Sequence, residues 1–145
     1  MFNHLLVPLD GSEYSERALP YACDLAKTTG AKVSLLTDLL RYPPPHLPRA
    51  AELDEHSRRL AEEYLQDKAK SLQEEGVPSV EKIVTFGQPA ESITDYARLH
   101  DVDLIVMSTH GVGATGKYAV GSIAMKVLMT APCQVFLVRV EGGHG

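Results

Sequence analysis

Short runs of Val, Ile and Leu alternate along this chain with longer stretches of helical apolar spacing, and that alternation narrows the folds available to it. Leu5 to Leu9, Lys32 to Leu36, Val80 to Thr85, Leu104 to Met107 and Val135 to Val140 read as strands. Between them Tyr14 to Thr29, about Ala50 to Glu75, Pro89 to Leu99 and Ser122 to Met129 read as helices. The order is βαβαβαβαβ. The strands are apolar throughout rather than alternating, as expected when helices cover both faces of a parallel sheet. Right-handed crossovers then build an open, doubly wound α/β domain. With 145 residues the chain suits a single domain, 1–145.

Two local breaks stand out. Asp10-Gly11-Ser12-Glu13 starts the first helix, with Asp10 or Ser12 placed to cap it, and Gly30 marks its stop. In the long helix Leu53, Leu60, Tyr64 and Leu72 supply an apolar face, while Glu62, Glu63, Asp67 and Lys68 form the solvated side. Before it, residues 42–49 carry four prolines, Pro43, Pro44, Pro45 and Pro48, and read as an extended surface loop. Residues 141–145 read as a frayed tail.

Charge and cysteine content remove several function classes. The formal net charge of −5 argues against broad binding to nucleic acid or anionic membranes, so any phosphate site must be local. Cys23 and Cys133 stand far apart with no pairing framework, which fits thiols in a reducing compartment. The opening residues lack a basic segment, and Pro8 and Asp10 interrupt their apolar run, so neither a signal peptide nor a membrane span is expected and the default location is the cytoplasm. No zinc spacing, metalloprotease motif or nucleophile elbow occurs, and His4, His46, His56, His100 and His144 are expected mostly at the surface.

The chemistry concentrates between Asp103 and Val127. An apolar strand leads into Met107-Ser108-Thr109-His110-Gly111, nine residues follow, and Gly121-Ser122 then opens a helix. Small residues let backbone N–H groups approach anionic oxygens, and a helix N-terminus adds unpaired donors and a positive dipole end. Gly111 to Gly116 matches G-x-G-x-x-G literally, but only one strand remains beyond it and Pro132 to Val138 carries no acid to hold a ribose, so a dinucleotide fold does not fit. Gly116-Lys117-Tyr118 is a near miss to a P-loop, where Tyr118 replaces the hydroxyl that would hold magnesium. A glycine loop that only shapes the chain, with no ligand, stands level with binding on loop chemistry alone.

Taken end to end, the chain resembles the universal stress protein family. The resemblance rests on Val7-Pro8-x-Asp10-Gly11-Ser12, on Gly87-Gln88-Pro89-Ala90-Glu91-Ser92-Ile93 and on Ala131-Pro132-Cys133-x-Val135. It rests also on a pattern similar to G-x-x-G-x9-G-[ST], in which Gly111, Gly121 and Ser122 match and Ser108 stands at the first glycine. This resemblance implies a five-stranded parallel sheet in the order 3-2-1-4-5, adenine nucleotide alpha hydrolase-like, with ligand at the switch point beyond strands one and four. It further implies ATP, with magnesium, flanked by Pro8, Leu9, Asp10 and Asp38 around base and ribose and by Met107, Ser108, His110, Gly111, Gly121, Ser122 and Ile123 around the phosphates. Asp10 is the candidate for the sugar hydroxyl or the metal, and the Ser108 hydroxyl is a further phosphate donor. Asp38 stands where the family carries an apolar residue, and a free carboxylate there would weaken binding. Lys117, Thr109 and Thr115 are secondary candidates.

The implied function is an ATP-binding module for stress response or signalling, at most a slow ATPase, which acts on a regulatory protein partner. The alternative is a non-nucleotide member acting as a dimeric interaction or chaperone-like protein. In both readings the resemblance implies a homodimer paired through Val135 to Val140.

Overall fold

The computed structural model describes residues 1–39, 50–110 and 120–140, the side chains of 50–54 excepted. The elements follow in the order β1 (His4–Pro8), α1 (Glu13–Glu16), α2 (Leu19–Thr29), β2 (Lys32–Leu39), α3 (Ala50–Glu74), β3 (Val80–Phe86), α4 (Pro89–Leu99), β4 (Leu104–Ser108), α5 (Ser122–Thr130) and β5 (Gln134–Val138). The Pro-rich loop expected at 42–49 and the tail 141–145 lie outside the described residues.

Where the sequence suggests one helix over 14–29, the structure has two. Pro20 sits in the first turn of α2, where its missing N–H is harmless, but it cannot continue a helix arriving from Glu16. The junction closes instead with tight turns, Arg17 N–H to Tyr14 O at 3.2 Å and Ala18 N–H to Ser15 O at 3.3 Å. Gly30 ends α2 with φ of 78°, a left-handed conformation that leaves its N–H on the Ala26 carbonyl. Along α3 the buried face is Ala61, Leu65, Ala69 and Leu72, whereas Leu60, expected in the core, is exposed. Leu60 falls one position out of register with that stripe.

All five strands are parallel, in the order β3-β2-β1-β4-β5. β1 is central, paired with β2 from His4↔Lys32 to Pro8↔Leu36 and with β4 at Leu5↔Leu104 and Leu6↔Ile105. Alternate residues feed two cores. Leu5, Val7, Val33, Leu35, Leu104 and Val106 pack against α2 and α3 through Ala22, Ala26, Leu65 and Ala69. Leu6, Leu36, Ile105 and Met107 pack against α4 and α5 through Ile93, Ala97, Ala124 and Val127. Helices therefore cover both faces, which is why the strands carry so few polar side chains.

Two strand ends differ from the apolar runs that announce them. β2 continues past Leu36 because its pairing with β3 runs on through Thr37↔Val84, Asp38↔Thr85 and Leu39↔Phe86; backbone pairing does not depend on apolar side chains. β5 stops at Val138 rather than Val140, since the Val140 N–H is captured at 3.1 Å by the Thr109 hydroxyl instead of by a strand. No helix among the described residues is long and apolar enough to cross a membrane.

Candidate functional site

The winding direction reverses between β1 and β4, and their carboxyl ends open the crevice where parallel sheets bind ligands. One wall is the loop into α1. The Leu9 N–H still pairs with the Leu36 carbonyl at 2.8 Å, so Leu9 is buried and Pro8 half-buried. Asp10 then leaves the sheet and accepts on Oδ1 from the Ser12 N–H at 2.9 Å and the Ser12 hydroxyl at 2.5 Å. Ser12, rather than Asp10, caps α1, accepting from the Ser15 N–H at 3.1 Å. Asp10 thus shapes the turn while its carboxylate stays at the surface. Behind it α1 is anchored to α3, because the Tyr64 hydroxyl donates to Glu16 Oε2 at 2.6 Å and Lys68 Nζ lies 3.4 Å from Glu16 Oε1. Burial, reinforced by that carboxylate, holds the Tyr64 phenol protonated well above its ordinary range.

The opposite wall is the end of β4 and the start of α5. Met107 points into the α4–α5 core, so it can meet a ligand through its main chain only. Ser108 is buried, and its hydroxyl donates to the His110 carbonyl at 2.5 Å. That bond commits the proton expected for a phosphate and tightens the turn where the family motif has glycine. Gly121 is the N-cap of α5, with its N–H on the Thr109 carbonyl at 2.7 Å; a Cβ there would lie 3.0 Å from the same carbonyl oxygen. The glycine is required by this approach of two backbone segments, before any ligand is considered. Ser122 begins the helix exposed, Ile123 beside it is 42% exposed, and no side chain among the described residues caps the helix. Gly111, Lys117 and Thr115 lie outside the described residues.

Asp38 is not the free carboxylate expected from the sequence. It faces α4, and its Oδ1 accepts from the Thr85 hydroxyl at 2.7 Å and the Ser92 hydroxyl at 2.5 Å, which ties β2, β3 and the first turn of α4 together. Its Oδ2 has no partner, and among the described residues two other buried side-chain atoms share that condition, Thr37 Oγ1 and His110 Nε2. All three belong to the carboxyl ends of β2 and β4 or the residues just after. Thr37 escaped the sequence reading, although a threonine closing an apolar strand run was the available signal.

The histidines hold a correction. His4, expected at the surface, is buried at the amino end of β1. Its Nδ1 lies 3.0 Å from the His100 carbonyl and its Nε2 2.6 Å from the Ser34 hydroxyl, which is in turn 3.1 Å from the Tyr96 hydroxyl. A carbonyl only accepts, so Nδ1 carries the proton and Nε2 receives the Ser34 hydrogen. Burial pushes this imidazole below its ordinary 6.5; the His100 carbonyl, Glu81 and Asp103 act upward and Lys32 downward. The sequence signal for this burial, a histidine beginning a strand, is also common on surfaces. Among the described residues no group of three or more His, Cys, Asp or Glu side chains is arranged to hold a metal.

The family model for the universal stress protein family matches residues 1–139. A universal stress protein of Thermus aquaticus, named for its place in the QAH/OAS sulfhydrylase 3′ region, is 36% identical over 139 residues, covering 96% of this chain and all of that one. A putative universal stress protein of Staphylococcus haemolyticus is 33% identical over 97% of this chain and 86% of its own length. In three dimensions the chain is similar to the universal stress protein UspA of Lactobacillus plantarum, with a TM-score of 0.85 at 26% identity over 95% of this chain and 98% of that one. The fold is shared with the Archaeoglobus fulgidus universal stress protein in complex with dAMP, at TM-score 0.68 and 21% identity over 94% and 97% of the two chains. It is also shared with an Arabidopsis thaliana family protein with AMP bound, at 0.69 and 16% over 94% and 91%.

Proposed function

The chain belongs to the universal stress protein family, and from that premise we propose that it binds an adenine nucleotide, ATP with magnesium, in the crevice between β1 and β4. The observation carrying this reading is that the unpartnered buried side-chain atoms among the described residues, Thr37 Oγ1, Asp38 Oδ2 and His110 Nε2, all belong to the carboxyl ends of β2 and β4 or the residues just after, the same end of the sheet as the start of α5, whose N-cap is a glycine. An anion and a base edge are the kinds of group that would satisfy such atoms. The dAMP- and AMP-bound relatives support an adenine nucleotide as the class of ligand.

In this reading Pro8, Leu9 and Asp10 flank the ribose and base, and Asp10 serves a sugar hydroxyl or the magnesium. His110, Gly111, Gly121, Ser122 and Ile123 surround the phosphates. Met107 and Ser108 contribute backbone, because their side chains are engaged within the protein. Asp38 acts through the wall it ties together rather than as a free charge. The role is a cytoplasmic switch for stress response or signalling, with at most slow hydrolysis, whose occupancy alters its choice of protein partner. Two copies pair through the free edge of β5, where Phe136 is 38% exposed and meets Tyr21 in a tilted ring contact with centroids 5.7 Å apart.

A second reading, a dimeric interaction protein that needs no nucleotide, draws on α5, where Met125, Leu128 and Met129 are exposed at 44%, 45% and 76%. Calorimetric titration of ATP and magnesium into nucleotide-stripped protein separates the two. Saturable one-site binding, with a dimer mass by sedimentation, is the expected outcome; a dimer without heat of binding favours the second reading, and a monomer overturns the pairing.

A further inference from the structure

Thr109 makes more cross-element contacts than any sequence argument assigned to it. It is 7% exposed, directly after β4. Its N–H donates to the Val138 carbonyl at 2.9 Å, and its carbonyl accepts the Gly121 N–H at 2.7 Å. Its hydroxyl oxygen accepts the Val140 N–H at 3.1 Å. These bonds pin one residue between β4, β5 and the cap of α5.

The single hydroxyl proton has two acceptors in reach, His110 Nδ1 at 3.1 Å and the Val140 carbonyl at 3.5 Å. The second distance is at the outer limit of a hydrogen bond, and the first is well inside it. The nearer acceptor is Nδ1, and with the proton directed there Nδ1 is the ring's accepting nitrogen. A neutral imidazole carries one hydrogen, so that hydrogen sits on Nε2. His110 is only 4% exposed, and its Nε2 meets no protein acceptor. Its backbone adjoins the start of α5, since a Cβ on Gly121 would lie 3.8 Å from the His110 Cα. A buried donor without an acceptor, on a residue whose backbone adjoins the positive end of a nine-residue helix, suits an anion.

We propose that Thr109 is a positioning residue, holding His110 in the Nε2–H tautomer so that the ring donates to a nucleotide phosphate at the start of α5. The inference rests on the nucleotide reading above and adds to it the group that selects phosphate over nucleoside.

The test combines ring nitrogen NMR on the ligand-free protein with affinities for ATP and for adenosine. Wild type and Thr109→Ser, which keeps the hydroxyl, should show Nδ1 unprotonated and Nε2 protonated; Thr109→Val should lose that bias. Thr109→Val should weaken ATP by about tenfold, the scale of one charge-assisted hydrogen bond, and leave adenosine unchanged. His110→Phe should produce the same ATP-specific loss, and adding Thr109→Val to it should cost little more. An Nδ1–H ring in wild type overturns the proposal, as does equal weakening of ATP and adenosine, which marks a merely structural role. If wild type binds no nucleotide, the nucleotide reading falls and the phosphate role with it, while the ring spectrum still decides whether Thr109 sets the tautomer.

Discussion

The two edges of the sheet solve the same problem in opposite ways. At the amino edge His4, Ser34, Tyr96 and the His100 carbonyl close a chain of hydrogen bonds in the core, and the Asp103 carboxylate takes the Asn3 N–H at 2.8 Å and the His4 N–H at 3.3 Å. At the carboxyl edge Thr37, Asp38 and His110 each keep a buried atom unmatched. At the amino edge every return is short, and at the carboxyl edge β1 reaches α1 and β3 reaches α4 within a few residues, whereas β2 reaches α3 only at Ala50 and β4 reaches α5 only at Ser122. The comparison teaches that one edge satisfies its own polar groups and that the other is where the proposed ligand would act.

The largest expected effect comes from forcing bulk into the open edge. Gly121→Val places a Cβ against the Thr109 carbonyl at 3.0 Å, and because that neighbour is backbone it yields poorly. Nucleotide affinity should be abolished in calorimetry, with stability lowered by about 1–3 kcal/mol in urea unfolding. Unchanged affinity would break the placement of the site. The closed edge should respond in the reverse sense: Ser34→Ala orphans His4 Nε2 and the Tyr96 hydroxyl and should lower stability by about 2 kcal/mol, leaving ATP affinity intact. A parallel loss of affinity would show that the edges are not separable.

Acid provides a finer probe of the closed edge. Burial lowers the His4 pKa in the folded state below its ordinary 6.5, so the unfolded chain takes up the proton first. This contribution to stability is complete above the unfolded value and is lost as pH falls from there through the lower folded value. The urea midpoint should decline across that window in wild type and decline less in His4→Gln. Equal slopes would remove His4 as the source. The smallest effect is expected from Ser122→Ala, which takes one exposed hydroxyl from the start of α5 and should weaken ATP by about 1 kcal/mol, read by competition binding.

Much of the architecture was legible. Apolar runs of strand length and the helical spacing between them announce the α/β order, and Gly30 and Ser12 mark a helix stop and start as their chemistry requires. Pro20 was visible too, yet its consequence, two helices in place of one, depends on how the turn at Arg17 and Ala18 closes. The candidate site was legible as positions rather than as contacts. Ser108 and Asp38 appeared as departures from a motif, one a spare donor and the other a spare charge, and each proves to be engaged with a neighbour.

Strand order of appearance, helix faces and family membership are local or cumulative properties of the residue string, carried by periodicity and short motifs that need no partner to be read. Which polar groups are satisfied is decided between residues far apart in the chain. Asp38 meets Ser92 across 54 positions, His4 meets the His100 carbonyl across 96, and Thr109 meets Val140 across 31. Hydrogen bonds act over about 3 Å and are directional, so only the packed sheet, by setting β1 beside β4 and β4 beside β5, could satisfy the polar groups at one edge and leave Thr37 Oγ1, Asp38 Oδ2 and His110 Nε2 unmatched at the other.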